Sequence, residues 1–297
     1  MSSESFVDQE VNFIRLENAK HEDEFMTESV NLSNEIIINT FLLVGINEDP
    51  SITTMALDRK DAIVYGLMLR SIKLFQSYME LICKRRGEAA KILLRSVLET
   101  IVNVQYLIIK DSQELFDEYI KYSLITEKKV LSTLQRNAEE RGEKIPIEGR
   151  MIKSILNSFI ESGCSIDEIQ LDPKKNKWGR ITLREKLNEF YSKESYDLLF
   201  GETHHSVHGN WQSLLFEDLR YNSEAQSYEL MFKHSNPRPQ HVLSAIMLLC
   251  GTAEYFIEYS LSIENIKHYA LETFRNTFAK AERIDRLHEE FLIRGKK

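Results

Sequence analysis

The segment Glu88–Lys110, EAAKILLRSVLETIVNVQYLIIK, constrains the fold more than any other stretch. It is apolar on nearly every side of a helical wheel. A helix of that kind needs other helices around it, so it belongs at the centre of a bundle. Apolar residues recur at helical spacing along most of the remaining chain. Gly and Pro number only 11 and 5 in 297 residues, too few for a many-turned β architecture or for Gly/Pro-rich disorder. The expected fold class is all-α, a helical bundle of long antiparallel helices. The helical signal lapses near 214–232, where Leu214-Leu215-Phe216, Asn222-Ser223 and Tyr228–Phe232 follow one another. A small β-hairpin or ordered loop is expected there.

Three parts are expected: N-terminal helices over 1–57 packed on the core, a bundle core over 58–270, and a charged helix over 271–297. Asp58 is placed to cap the first core helix, and Gly45, Gly87 and Gly142 mark connections. The last part mixes Glu282, Arg283, Asp285, Arg286, Glu289 and Glu290 with Phe278, Leu287 and Phe291. It is expected to project, or to pair with a second copy or another protein. The three cysteines, Cys83, Cys164 and Cys250, are far apart and form no CxxC pair. They therefore indicate neither a disulfide framework nor a zinc ribbon, and they fit a reducing cytoplasm. Cys83 and Cys250 read as small core residues. The N-terminus lacks a basic and an apolar signal region, and no uninterrupted apolar run reaches bilayer length, so no membrane partner is expected. The net charge of −8 means that a polyanion would need a local basic patch.

Lys91, Arg95, Glu99 and Asn103 recur at i, i+4, i+8 and i+12 along the apolar helix, a polar stripe among large apolar neighbours. Charges so placed must be paired. The plain reading is an i,i+4 surface ion pair; the functional one is a polar site between helices. A second cluster, Gly201-Glu-Thr-His-His-Ser-Val-His-Gly-Asn210, puts His204 and His208 on one helical face. Two imidazoles beside an Arg and a Glu can exchange protons near neutral pH, bridge buried helices, or ligate a metal. For a metal, HxxxH supplies two ligands and needs a third from Glu99 or Glu202. HExxH is absent, and neither a metal nor another cofactor is expected. GxxxxGK[ST], GxGxxG and GxSxG are absent as well.

Two separated motifs, Leu94-Arg-Ser-Val-Leu-Glu99 and His204-His-Ser-Val-His-Gly209, together resemble an uncharacterised bacterial helical family known only as domain-of-unknown-function family 5677. The resemblance covers roughly 62–261 and matches at Arg95, Glu99, His204, His208 and Gly209. It implies a shared site but carries no activity with it. A fainter likeness is to the HEPN superfamily, helical bundles that include metal-independent ribonucleases of toxin and phage-defence systems. Those carry an Arg and a His four to six residues apart. The R-x4-H spacing here is Arg283 to His288 in the charged tail, a match that chance alone supplies in a chain with this many Arg and His residues.

Lys174, Lys175, Lys177, Arg180 and Arg184 surround Trp178, the one dense basic patch. It could hold RNA with the indole stacked on a base; a solvated loop with an anchoring Trp is the plainer account. The expectation drawn from these residues is an endoribonuclease-like protein with Arg95, Glu99, His204 and His208 as its catalytic group. One histidine would act as base and the other as acid, Arg95 would bind phosphoryl oxygens, and the Trp178 loop would hold the strand. The alternatives are a non-enzymatic interaction or sensor module with a buried polar network, and a mononuclear metal bundle using the HxxxH pair.

Overall fold

The computed structural model describes residues 5–46, 56–170 and 177–295. It is all-α apart from one small hairpin. Helices α1 (Phe13–Glu17), α2 (Glu22–Val44), α3 (Arg59–Cys83), α4 (Gly87–Lys110), α5 (Gln113–Arg141) and α6 (Pro146–Glu161) come first. After a short 3-10 turn at Trp178–Arg180 follow α7 (Leu183–Leu187), α8 (Ser195–His208), α9 (Trp211–Glu217), strands β1 (Leu219–Asn222) and β2 (Ser227–Leu230), α10 (Pro239–Ser260) and α11 (Glu264–Arg294).

The helix ends are set by local chemistry. The Asp58 carboxylate accepts from the Asp61 amide at 2.8 Å and starts α3. Three acids open α2 against its dipole, and Glu24 reaches back to the Lys20 and His21 amides. Gly209, at φ +53°, closes α8 in a left-handed turn that most side chains avoid. Asn210 then starts α9 by accepting from the Ser213 amide at 3.2 Å. These two residues make a helix of 211–217, so Leu214–Phe216 is helical and the hairpin begins only at Leu219. The strands pair antiparallel, with Tyr221 opposite Tyr228.

The chain divides into two compact units, residues 1–109 with 186–297, and residues 110–185. In the larger unit α2, α3, α10 and α11 pack together, with α1 laid on α11. Val64, Met68, Ile72, Phe75, Ile246, Leu249, Phe256 and Phe274 are fully buried. Gln105 of α4, wholly inside, donates from Nε2 to Thr252 of α10 at 2.9 Å and to the Tyr191 hydroxyl at 3.0 Å, while its Oε1 has no hydrogen-bond partner among the described residues. Helices α4 and α10 are long and apolar enough to cross a bilayer by length and composition, and more than half of each apolar window is buried within the protein.

Two expectations are corrected here. Helix α11 does not project: Ala270, Phe274, Ala281, Ile284 and Leu287 are buried as it lies on α2 and α10. Its apolar stripe finds its partners in the same chain. Cys83 sits at the last turn of α3 and is exposed, whereas Cys250 is buried, and burial pushes the Cys250 thiol well above its ordinary pKa.

Residues 6–9 run between α2 and α11, with the backbone of Val7 and Gln9 bonded to α2 and the side chains of Phe6 and Asp8 on α11. Asn39, fully buried, accepts from the Val7 amide (2.7 Å) and donates to the Val7 carbonyl (2.8 Å). Glu35, 1% exposed, accepts from the Gln9 amide (2.7 Å), the Thr277 hydroxyl (2.5 Å) and Lys280 (3.0 Å). In the smaller unit α5 packs on α6. The Lys128 ammonium holds the segment that follows α6 by donating to the Ile166 and Ile169 carbonyls, both at 2.8 Å.

Candidate functional site

Helices α4 and α8 each carry a stripe with four-residue spacing, and the two stripes meet. On α4 it is Lys91, Arg95, Glu99 and Asn103; on α8 it is Tyr196, Phe200, His204 and His208. The guanidinium carbon of Arg95 stands 4.4 Å from the centre of the Phe200 ring, a cation–π stack against a fully buried aromatic. Tyr196 stacks on the same ring at 4.9 Å. Arg95 Nε donates to Glu99 Oε1 at 2.6 Å. Its Nη1 is buried and has no hydrogen-bond partner among the described residues. The Arg95 side chain is 16% exposed and that of Glu99 45%, so the pair sits at the rim of the core, with one fork of a cation unsatisfied.

One turn beyond Phe200, His204 and His208 present their rings 4.6 Å apart at 57°, both exposed. Desolvation, followed by the like charges of His208, Arg95 and His205, holds the His204 imidazole below its ordinary pKa of 6.5. His204 is therefore within electrostatic reach of Arg95. His205 turns the other way and takes a hydrogen bond from Asn210 Nδ2 at 2.8 Å. Because Asn210 Oδ1 is already engaged at the α9 cap, the His205 Nδ1 is the acceptor of that bond.

Lys91, at the head of the stripe, pairs with Glu217 of α9 at 3.0 Å, and Ser206 also donates to Glu217 at 3.2 Å. Glu217 is 6% exposed. It ties α4, α8 and α9 together and so fixes the histidines relative to Arg95. Nothing in its sequence neighbourhood marks Glu217, because its cation is 126 positions away. Phe200 and Tyr196 were legible in principle, as ring residues recurring at i, i+4 with the two histidines. Among the described residues no three of His, Cys, Asp and Glu gather closely enough to hold a metal ion; the Glu202 side chain lies outside the described ones.

The smaller unit holds the basic loop. Lys174 and Lys175 lie outside the described residues. Trp178 is 7% exposed and packs edge-on against Tyr119 at 5.0 Å, so it cannot stack on a base: it is an anchor. Lys177 and Arg180 are on the surface side, where Arg180 lies 3.7 Å from both Glu114 and Glu118. Beside them is a cleft of about 580 Å³ whose lining includes Lys121, Lys177 and Arg180 but also Glu118 and Glu168. Its mixed charge gives a polyanion little advantage. The tail pair Arg283 and His288 is likewise structural. Arg283 covers the Phe13 ring at 3.9 Å, and His288 is fully buried against Phe25 and bonded to Glu22 at 3.1 Å.

Residues 61–226, more than half of the chain, match a family of unknown function (DUF5677). The chain belongs to the DUF5677 family. No curated protein and no solved structure matches it. The DUF5677 region takes in both stripes and Glu217, and it ends within the hairpin, short of α10 and α11.

Proposed function

We propose that the α4–α8 site of this DUF5677 protein cleaves RNA phosphodiesters by acid–base catalysis, as a ribonuclease of the toxin or phage-defence kind. The observation that carries this reading is the guanidinium of Arg95. It is stacked on Phe200 and aligned by Glu99, and it has a fork without an acceptor next to two exposed imidazoles. A phosphate oxygen is the acceptor such a fork lacks. His204, whose pKa desolvation and its cationic neighbours hold below the ordinary imidazole value, takes the 2′-hydroxyl proton. The 2′-oxygen bonds to phosphorus, the bond to the 5′-oxygen breaks, and His208 gives its proton to that oxygen. A 2′,3′-cyclic phosphate and a 5′-hydroxyl are left. Arg95 donates to the non-bridging oxygens as charge builds on them. The two rings must separate to flank the phosphorus. Both are exposed, so a rotamer change of His208 is inexpensive.

The test uses the purified chain and a labelled single-stranded RNA in the presence of a chelator. The wild type is expected to give fragments ending in 2′,3′-cyclic phosphate. His208→Ala should slow cleavage by about 10²–10⁴-fold with an unchanged circular dichroism melt. A folded His208→Ala variant that cleaves as the wild type does overturns the reading, as does a wild type that cleaves no RNA. The second reading, an interaction or sensor module, draws on the buried Lys91–Glu217–Ser206 network. On that reading Glu217→Gln lowers the melting temperature and His208→Ala changes nothing measurable.

A further inference from the structure

We infer that the groove between α2 and α11 is a recognition site for an extended peptide bearing an aromatic residue and, two positions later, an aspartate, and that residues 6–9 occupy it in cis. The groove lies outside the residues that carry the ribonuclease reading, so the two stand or fall separately.

The repeats of α2 and of the segment lying on it match. Glu35 and Asn39 are four residues apart on α2, about 6 Å along the axis. They bind the amides of Gln9 and Val7, two residues apart in an extended chain and about 6.7 Å apart. One face of α2 thus offers side-chain acceptors at the repeat of a β-strand edge. Asn39 completes the imitation by engaging both the N–H and the C=O of Val7 (2.7 and 2.8 Å), as a neighbouring strand would. These bonds read only backbone, so any extended segment can form them.

Selectivity comes from α11. Alternate residues of a strand share a side, and Phe6 and Asp8 both face that helix. The Phe6 ring meets Tyr269 at 5.5 Å and Phe274 at 6.1 Å. The Asp8 carboxylate takes a hydrogen bond from Asn276 (3.1 Å) and pairs with Lys280, whose side chain is only 12% exposed. A shallow trough runs on past Phe6 and Asp8 along His268, Glu272 and Thr273. Groups on two helices therefore meet an aromatic side chain, a carboxylate and the backbone between them: Glu35, Asn39 and Phe274 are buried, whereas Tyr269, Asn276 and the Asp8 carboxylate lie at the surface. The resident segment stays attached through α1: Leu16 is fully buried, and Arg294 donates to the Glu17 carbonyl at 2.8 Å. Tethering keeps its effective concentration high, so an outside peptide enters only when residues 6–9 are displaced.

The test uses the full chain and a fluorescein-labelled peptide of residues 5–12, SFVDQEVN. Val7→Pro removes the amide that Asn39 accepts and so releases the segment. Phe6→Ala/Asp8→Ala releases it through its side chains alone and serves if the proline variant melts early. Fluorescence anisotropy should show the peptide binding to a released chain about a hundredfold more tightly than to the wild type. A further Asn39→Ala change should abolish that binding, and a peptide with alanine at the Phe6 and Asp8 positions should not bind. Failure of the peptide to bind either released chain, shown to be folded by its melt, overturns the inference. Equal binding of the alanine peptide does the same.

Discussion

Arg95 holds three neighbours of different kinds: the Phe200 ring on its flat face, Glu99 at Nε, and His204 within reach of its charge. Lysine could keep the charge but neither the stack nor the fork. The link to His204 can be measured without any substrate. Desolvation first, and then the positive neighbours His208, Arg95 and His205, disfavour the His204 imidazolium and lower its pKa, so taking the Arg95 charge away must move the midpoint up. In an NMR titration of the ring protons, His204 is expected to titrate below pH 6.5 and Arg95→Gln to raise its midpoint. A midpoint that the substitution leaves in place would separate the two stripes. If the site cleaves RNA, the acidic limb of kcat/KM follows the same displacement.

Among the elements, the start of α4 is tightly constrained. A Cβ on Gly87 would lie 2.7 Å from Ser235 Oγ and 2.8 Å from the Ser235 carbonyl oxygen. That backbone cannot retreat freely, because the Ser235 amide is held by Glu88 at 2.5 Å. Gly87→Ala is expected to cost about 1–3 kcal/mol. Gly66→Ala, in the exposed interior of α3 with nothing within 4 Å of the new carbon, should stabilise by about 0.5–1 kcal/mol. Paired thermal melts check both signs. Elements of this kind were largely legible in the sequence: periodicity located α3, α4, α5 and α10, and Asp58 marked the start of α3. The α4 stripe was legible because its members follow one another in the chain. Helix α9 was not, since a run of three apolar residues, Leu214–Phe216, suits helix and strand alike until Gly209 and Asn210 set its start. Periodicity also gave no sign that Arg95 rests on Phe200 or that Glu217 receives Lys91. Each depends on a contact between distant segments, and no local pattern encodes it.

At the scale of the molecule, pH acts through several carboxylates of one tendency. Burial works to raise the pKa of Glu88, but the Ser235 amide and His234 outweigh it and hold it below 4.5. Backbone amides and cations do the same for Glu24, Glu148, Glu168 and Glu185. A carboxylate with a lowered folded pKa contributes stability above its unfolded value and loses it as the pH falls through the folded one. The melting temperature should therefore decline from about pH 4.5 downward, and Glu88→Gln should flatten that decline. Asp285 runs the other way: burial and then Glu289 raise its pKa above 3.8. What it contributes below that value is lost as the pH climbs, which makes the acid decline shallower. Melts between pH 3 and 7 on both chains decide the matter, and an unchanged slope in Glu88→Gln would rule out the assignment of Glu88.

The burial of Glu35 has a consequence for how the chain is made. Its cation, Lys280, follows 245 positions later, so the ribosome delivers the carboxylate long before anything arrives to neutralise it. Until α11 emerges, α2 must keep that face in water, and residues 6–9 have only half of their seat. A transcript cut short before Lys280 yields a polypeptide with a stranded anion and a bare apolar flank, the kind of surface that chaperones and proteases recognise. Translation to the last helix is thus registered in the fold itself.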